Sequence, residues 1–393
     1  MTAVMPRSTD RILTTHVGSL PRPERLLALL VAKAEGQAYE EETLQSEVRE
    51  AVQDAVARQV NAGIDIVSDG EMSKPSYSTY VTERLSGFGG RAKGHRAQDL
   101  LDYIDYARRL VEIGGVVPSN SGPCCEAPVR LKDAKPLRTD LANFQSAVSR
   151  EKPVAAFMNA ASPGVVSLFQ RNQYYPSEDA YLEALTDALR AEYEAIVDAG
   201  FILQIDSPDL AMGRHLAHAD KDEQRFVELA ARQVEVLNAA TANIPPEAMR
   251  LHICWGNYEG PHHLDIPLEA IIEVVLRARP AAISLEAANP RHAHEWTVFE
   301  RVPLPDDKIL LPGVIDSTSN YIEHPEVVAQ RILRYANVVG RERVIASSDC
   351  GFGTFSRYPT VFPAIAWAKL AALAQGAELA SRRLSTRPGR QDG

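Results

Sequence analysis

The sequence predicts an α/β chain of the (β/α)8 barrel type, and three observations carry that expectation. Eight short apolar segments alternate with helix-length amphipathic stretches along the 393 residues, the pattern of a parallel sheet covered by helices. Polar residues cluster at the C-terminal tips of those segments, the rim where such barrels carry their chemistry. No Gly-x-Gly-x-x-Gly follows the first segment, so an open dinucleotide-binding sheet has no support.

Taken in order, residues 12–19 read as the first strand, closing on Val17-Gly18-Ser19 with Pro21 and Pro23 beyond. An amphipathic helix over roughly 40–62 stops at Gly63, as helix C-termini often do. Residues 65–71 form a short strand with polar residues at its tip. The rhythm then breaks from about 72 to 150, a stretch rich in Gly, Arg and Ser, read as an insertion after the second strand that includes a hairpin. The pattern resumes with a strand at 153–160, a helix at 177–199 capped by Ser177 and ended by Gly200, and a strand at 202–206. Helix 220–240, strand 250–255, helix 267–278 and strand 281–286 follow. Strand 309–315, helix 324–339, strand 343–348 and helix 362–375 complete the series. The expected organisation is one catalytic barrel over residues 1–380, insertion included, and a flexible Arg-, Ser- and Gly-rich tail over 381–393.

Composition bounds the function. With 45% hydrophobic and 24% charged residues, the chain is that of an ordinary soluble protein with a large core. A net charge of −10 argues against a nucleic-acid partner. No run approaches the roughly eighteen apolar residues of a membrane span, and Met1–Arg11 lacks the apolar centre of a signal peptide. Four cysteines do not suggest a disulfide scaffold, and a reducing cytoplasm suits free thiolates. The expectation is a cytoplasmic protein that acts on small molecules. Oligomeric state is not indicated.

The chemistry centres on Arg250-Leu251-His252-Ile253-Cys254-Trp255-Gly256. On a strand, alternation points His252 and Cys254 the same way, about 7 Å apart. Alone that is weak, because cysteine often just packs. Two further apolar runs strengthen it, one ending in Glu286 and one in Asp349-Cys350-Gly351. One His, two Cys and one Glu from separate strand ends make a donor set of the kind zinc prefers. Ser19, Glu71, Asp206, His252, Cys254, Glu286, Asp316 and Cys350 all occupy the expected rim. A single polar tip is usually a loop start, but eight with metal-ligand chemistry among them are poorly explained that way. Asp316 is expected to be catalytic, since it stands among the ligands. Cys124-Cys125 read as structural, because vicinal cysteines rarely share one metal. His262-His263 read as loop packing or support behind the ligands. Trp255, Tyr258 and Trp296 either stack on a flat methyl donor such as a pterin or simply pack.

The ordered set Thr15-His16-Val17-Gly18-Ser19-Leu20-Pro21, Ser68-Asp69-Gly70-Glu71, Gln204-Ile205-Asp206-Ser207-Pro208, His252-Ile253-Cys254, Glu286, Pro312-Gly313-Val314-Ile315-Asp316 and Asp349-Cys350-Gly351 resembles the catalytic barrel of cobalamin-independent methionine synthases. The resemblance runs from about Ile12 to Gln375. It implies Zn2+ held by His252, Cys254, Glu286 and Cys350. It also implies homocysteine bound at Val17, Gly18 and Ser19, with Glu71 and Asp206 placed for the amino group. Three departures bear on the methyl donor. The second, N-terminal barrel of large members is missing, Ser207 replaces a carboxylate, and Thr318 stands where a histidine acid is expected. Short relatives include enzymes that take the methyl group from another carrier, and epoxyalkane:coenzyme M transferases.

Three functions follow for comparison. The first is zinc-dependent methyl transfer to homocysteine, from methylfolate or methylcobalamin, with the departures favouring methylcobalamin. The second is a coenzyme M transferase, whose sulfonate would need Arg22 or Lys74. The third is a non-catalytic metal binder, which a closed four-ligand site would favour.

Overall fold

The computed structural model describes residues 3–76, 80–92, 94–112, 122–354 and 361–386. In chain order the strands are β1 (Leu13–Thr14), β2 (Ile66–Val67), β3 (Phe88–Ala92), β4 (Gly122–Cys125), β5 (Ala155–Ala161), β6 (Ile202–Asp206), β7 (Met249–His252), β8 (Ala282–Glu286), β9 (Ile309–Ile315) and β10 (Ile345–Ser348). The helices are α1 (Glu24–Ala34), α2 (Glu41–Asn61), α3 (Val81–Arg84), α4 (Gln98–Leu101), α5 (Ile104–Glu112), α6 (Lys135–Glu151) and α7 (Pro163–Phe169). They continue as α8 (Glu178–Asp198), α9 (Gly213–Ala217), α10 (Glu223–Ala240), α11 (Leu268–Val275), α12 (Pro325–Val339) and α13 (Pro363–Ser385).

Eight of the strands form one parallel sheet in the order β1-β10-β9-β8-β7-β6-β5-β2. Across the seam between β1 and β2, the Asp65 N–H donates to Thr14 O at 3.2 Å and Thr15 Oγ1 donates to Ile66 O at 3.0 Å. The ring is thereby a barrel, as the alternating pattern required. Its floor is apolar: Leu13, Ile66, Phe157, Ile202, Ala282, Ile309, Leu311 and Ile345 form one buried cluster. Side chains two and four residues further along a strand share its face, so Asn159 stands above Phe157, Gln204 and Asp206 above Ile202, and Ser284 and Glu286 above Ala282. An apolar plug thus gives way to polar residues toward the C-terminal rim. Leu203, Leu251, Ile283 and Leu310 face the other way, into the core shared with the helices.

Three expectations are corrected. The stretch interrupting the barrel pattern ends before Lys135, because α6 packs on α2 as an ordinary barrel helix. Its Leu137, Phe144 and Ala147 are buried, and Phe144 stacks on Phe201 at 4.5 Å between ring centroids. Instead of the expected hairpin, β3 and β4 pair antiparallel with α4 and α5 lying between them in the chain. The tail expected from residue 381 begins later. The last helix runs to Ser385, and Ser381 Oγ accepts the Ile12 N–H at 2.9 Å, which ties it to the barrel floor. Residues 387–393 lie outside the described residues. Among the described residues no helix is long and apolar enough to cross a membrane.

Candidate active site

The ladders bring the flagged residues to one place. Asp206 and His252 are register partners on adjacent strands. Beyond β7 the Ile253 N–H still bonds Ser284 O at 3.0 Å, leading the chain on to Cys254, and Cys350 follows β10. One donor atom from each of His252, Cys254 and Cys350 lies within 4.8 Å of the others, and all three residues are buried. The two sulfurs are 3.7 Å apart. Two thiolates on a tetrahedral zinc at about 2.3 Å would stand about 3.8 Å apart, so the spacing fits such an ion. Both ring nitrogens of His252 are buried without a hydrogen-bond partner, a costly state for a polar group that a metal would relieve. Burial and the charge of Arg250 lower the His252 pKa to about 3, which keeps the imidazole neutral and able to ligate. Cys254 is pushed up by its hydrogen bond to Cys350, by burial, and by the charges of Cys350 and Glu286. A cation between the sulfurs would reverse that.

Glu286 belongs to the neighbourhood but not to the triad. Its Oε1 accepts the Trp255 N–H at 2.8 Å and its Oε2 accepts from Asn289 Nδ2 at 3.0 Å. Asp349 fixes that turn by accepting from the N–H groups of Ala287, Ala288 and Asn289.

The same cavity is lined by Val17, Ser19, Glu71 and Asp206, together with Asn159, Phe169, Met212, Leu216, Asn257, Tyr258 and Thr354. Burial and the neighbouring Glu71 raise the Asp206 pKa to about 7, against the opposing pull of Asn159, Gln204 and Lys74. Asn159 Nδ2 and Gln204 Nε2 both donate to this carboxylate, at 3.0 and 2.7 Å, and both also donate to Val17 O. Gly18 is required here. Its φ is +137°, and a Cβ would stand 2.3 Å from Asn159 Oδ1. Arg22 and Lys74 do not line the cavity. Arg22 donates to the carbonyls of Gly353, Glu71 and Lys74. Lys74 Nζ donates to Asn159 O at 2.9 Å and lies 3.4 Å from Glu71 Oε1.

Asp316 does not line the cavity. Its Oδ1 accepts from the N–H and hydroxyl of Thr318, and its Oδ2 from those of Ser319. Those bonds outweigh burial and lower its pKa; the carboxylate serves its own turn. Of the three aromatics expected as stacking candidates, Tyr258 lines the cavity, Trp255 is wholly buried, and Trp296 packs against the core. Cys124 and Cys125 lie on β4, and their thiols donate to the carbonyls of Gly89 and Ala127. Sequence reasoning missed Asn159, Phe169, Met212, Leu216 and Asn257. Asn159 alone left a signal, a polar residue inside an apolar strand.

Residues 12–373 match the family model described as the catalytic domain of cobalamin-independent synthase. Two relatives named methionine synthase are each 25% identical. That of Thermococcus kodakarensis aligns over 95% of this chain and 94% of its own length, and that of Sulfolobus acidocaldarius over 88% and 86%. The fold matches a B12-independent methionine synthase from Shewanella sp. W3-18-1, solved with selenomethionine, at a TM-score of 0.75 and 20% identity over 96% of this chain and all of that one. A protein from Listeria monocytogenes, described as a putative vitamin-B12 independent methionine synthase, gives a TM-score of 0.66 at 17% identity. With the family match spanning nearly the whole barrel, the chain belongs to the cobalamin-independent methionine synthases, methyltransferases that convert homocysteine to methionine.

Proposed function

We propose that this barrel binds homocysteine between a zinc held by His252, Cys254 and Cys350 and a carboxylate pair, Glu71 and Asp206, that takes the amino group. One observation carries the reading: a neutral imidazole and two thiols converge in the cavity that also presents those two carboxylates. When bound, zinc supplies the Lewis acidity that keeps a substrate thiol deprotonated at neutral pH. Three ligands leave a position for that thiol, as a catalytic rather than a structural zinc site requires. Glu286, whose oxygens accept from the Trp255 N–H and Asn289 Nδ2, would have to give up one of those bonds to act as a fourth ligand. Asn159 and Gln204 aim Asp206, and Val17 and Ser19 lie where the amino acid's carboxylate would sit. Phe169, Met212 and Leu216 exclude water from the sulfur.

Coenzyme M fits less well. Its sulfonate would need a free cation, and both Arg22 and Lys74 are engaged with the protein itself. The family's cobalamin independence lends no support to the expected preference for methylcobalamin, so a methylated folate is the donor assigned here. The test is elemental analysis together with a methyl-transfer assay, offering homocysteine or coenzyme M with methyltetrahydrofolate or methylcobalamin. Wild type should hold about one zinc per chain and use homocysteine. Cys254→Ser and Cys350→Ser should lose both metal and turnover. Full zinc in either variant removes the ligand assignment, and transfer to coenzyme M alone removes the substrate.

A further inference from the structure

The segment that interrupts the barrel between β2 and α6 reaches the cavity from outside. Ala97 and Leu100 in and beside α4, and Ala107 and Leu110 on α5, form one apolar cluster with Leu168, Met212, Leu216 and Tyr258. Met212, Leu216 and Tyr258 are cavity walls. Inside this contact lies Asp99 of α4, fully buried. Its Oδ1 accepts the Leu100 N–H at 2.8 Å. Its Oδ2 accepts from the Tyr258 hydroxyl at 2.7 Å and from the His262 N–H at 3.1 Å. The Tyr258 oxygen is also 3.2 Å from His215 Nε2, and the ring stacks on His262 at 4.6 Å. The backbone crosses the ring so closely at Gly256, with φ +121°, that a Cβ there would meet it at 2.5 Å. The ring is therefore clamped, and one of its polar anchors comes from outside the barrel pattern.

We infer that Asp99 is a positioning residue for substrate recognition, acting through Tyr258: the inserted segment supplies the carboxylate that sets a wall of the thiol-substrate cavity. This rests on the homocysteine reading above. Losing Asp99 leaves the Tyr258 hydroxyl without its charged acceptor in a buried place, where an unmet polar group is costly, so the ring turns toward another partner and the wall moves. Deleting both members of the pair removes that conflict at the ring; the Leu100 and His262 N–H groups still lose their acceptor, a cost that falls on stability rather than on the wall.

Full-length, zinc-analysed protein is titrated with homocysteine by calorimetry, and KM and kcat are measured, for wild type, Asp99→Leu, Asp99→Asn, Tyr258→Phe and the double variant Asp99→Leu/Tyr258→Phe. Asp99→Leu should raise Kd and KM about tenfold with zinc content unchanged and kcat within about threefold, the size of losing one charge-assisted bond. Asp99→Asn keeps one acceptor oxygen for the Tyr258 hydroxyl and the His262 N–H but sets its amide against the Leu100 N–H, so its Kd and KM should fall between those of wild type and Asp99→Leu. In the Tyr258→Phe background, removing Asp99 should weaken binding no further, because the residue it acts through is already changed. Unchanged affinity in Asp99→Leu, zinc loss that parallels the affinity loss, or a double variant whose effects simply add would each overturn the assignment. If Asp99→Leu does not fold, Tyr258→Phe cuts the same bond from the other side. Weaker homocysteine binding at full zinc is then expected, and wild-type affinity overturns the assignment. Zinc-loaded wild type with no affinity for homocysteine would overturn the substrate reading as well, whereas normal wild-type binding with an indifferent Asp99→Leu overturns this inference alone.

Discussion

Asp206 shows how one residue sets both binding and its pH dependence. Burial and Glu71 lift its pKa to about 7, so near neutral pH much of the free protein carries it protonated. An ammonium group brought beside it favours the ionised form, and binding must then expel the proton. Methionine, which has no thiol proton, isolates the effect. Its affinity should fall as pH drops from 7 to 6, by at most about tenfold per unit, and calorimetry in buffers of different ionisation enthalpy should show proton release. Asp206→Asn should abolish the release; release that persists would assign the proton to another group. At this scale much of the site was legible, since His252, Cys254, Cys350, Glu71 and Asp206 are strand-end residues whose direction follows from alternation. Glu286 and Asp316 share that placement yet spend their oxygens on nearby N–H and hydroxyl groups. Which donors a carboxylate meets is set by folding and not by its place at a strand end. The cavity's apolar walls, Phe169, Met212 and Leu216, belong to helix α7, to helix α9 and to the turn just before α9, where no periodicity marks a residue as facing substrate.

Among the elements, strands β5 to β10 were legible because each is buried on both faces and reads as an apolar run between turn residues. Helix α6 was not. Its outer face carries Lys135, Arg138, Asn143, Gln145, Ser149 and Arg150, and its buried residues are too sparse to rise above the polar sequence around them. The link between the inserted segment and the barrel was equally hidden, because it is a pair far apart in sequence. Arg84 of α3 meets Glu192 of α8 through three contacts of 2.6 to 3.0 Å, with both side chains nearly inaccessible. Removing one member of such a pair leaves an uncompensated buried charge. Glu192→Gln should therefore cost about 3–5 kcal/mol in urea unfolding. A loss below about 1 kcal/mol, the range of surface pairs, would show that water reaches the pair.

For the molecule as a whole, the charge that matters for stability is buried around Asp265. Asp265 Oδ2 accepts from His262 Nδ1 at 2.8 Å and His292 Nε2 at 2.9 Å, His292 Nδ1 meets Glu295 at 2.8 Å, and His215 Nδ1 approaches Asp265 Oδ1 to 3.1 Å. His292 also stacks on Trp255, the neighbour of Cys254, at 4.1 Å. Burial opposes both imidazolium ions, but Asp265 outweighs it, with Glu295 assisting at His292, and the pKa values rise from 6.5 to about 9 for His262 and about 10 for His292. A group whose pKa is higher folded than unfolded holds extra protons in the native state, so its stabilisation is complete below 6.5 and is lost as pH rises toward the folded value. Asp206, also raised, loses its own contribution between about 4 and 7, and buried Cys254 acts only above its ordinary value of 9. Arg250, lowered by burial to about 9, Lys308, also lowered by burial, and Asp349, raised by burial and Glu286, are common to wild type and Asp265→Asn, so the difference between those two proteins from pH 7 to 9 reports the two histidines. Metal-free wild type, in which no zinc holds the Cys254 and Cys350 thiols deprotonated, should show a denaturant midpoint that declines across that interval more steeply than the midpoint of Asp265→Asn. Asp265→Asn, which removes the shared acceptor charge, should start lower at pH 7. Midpoint curves that run parallel in the two proteins over the same range would mean that both rings are neutral and that this network is held by hydrogen bonds alone.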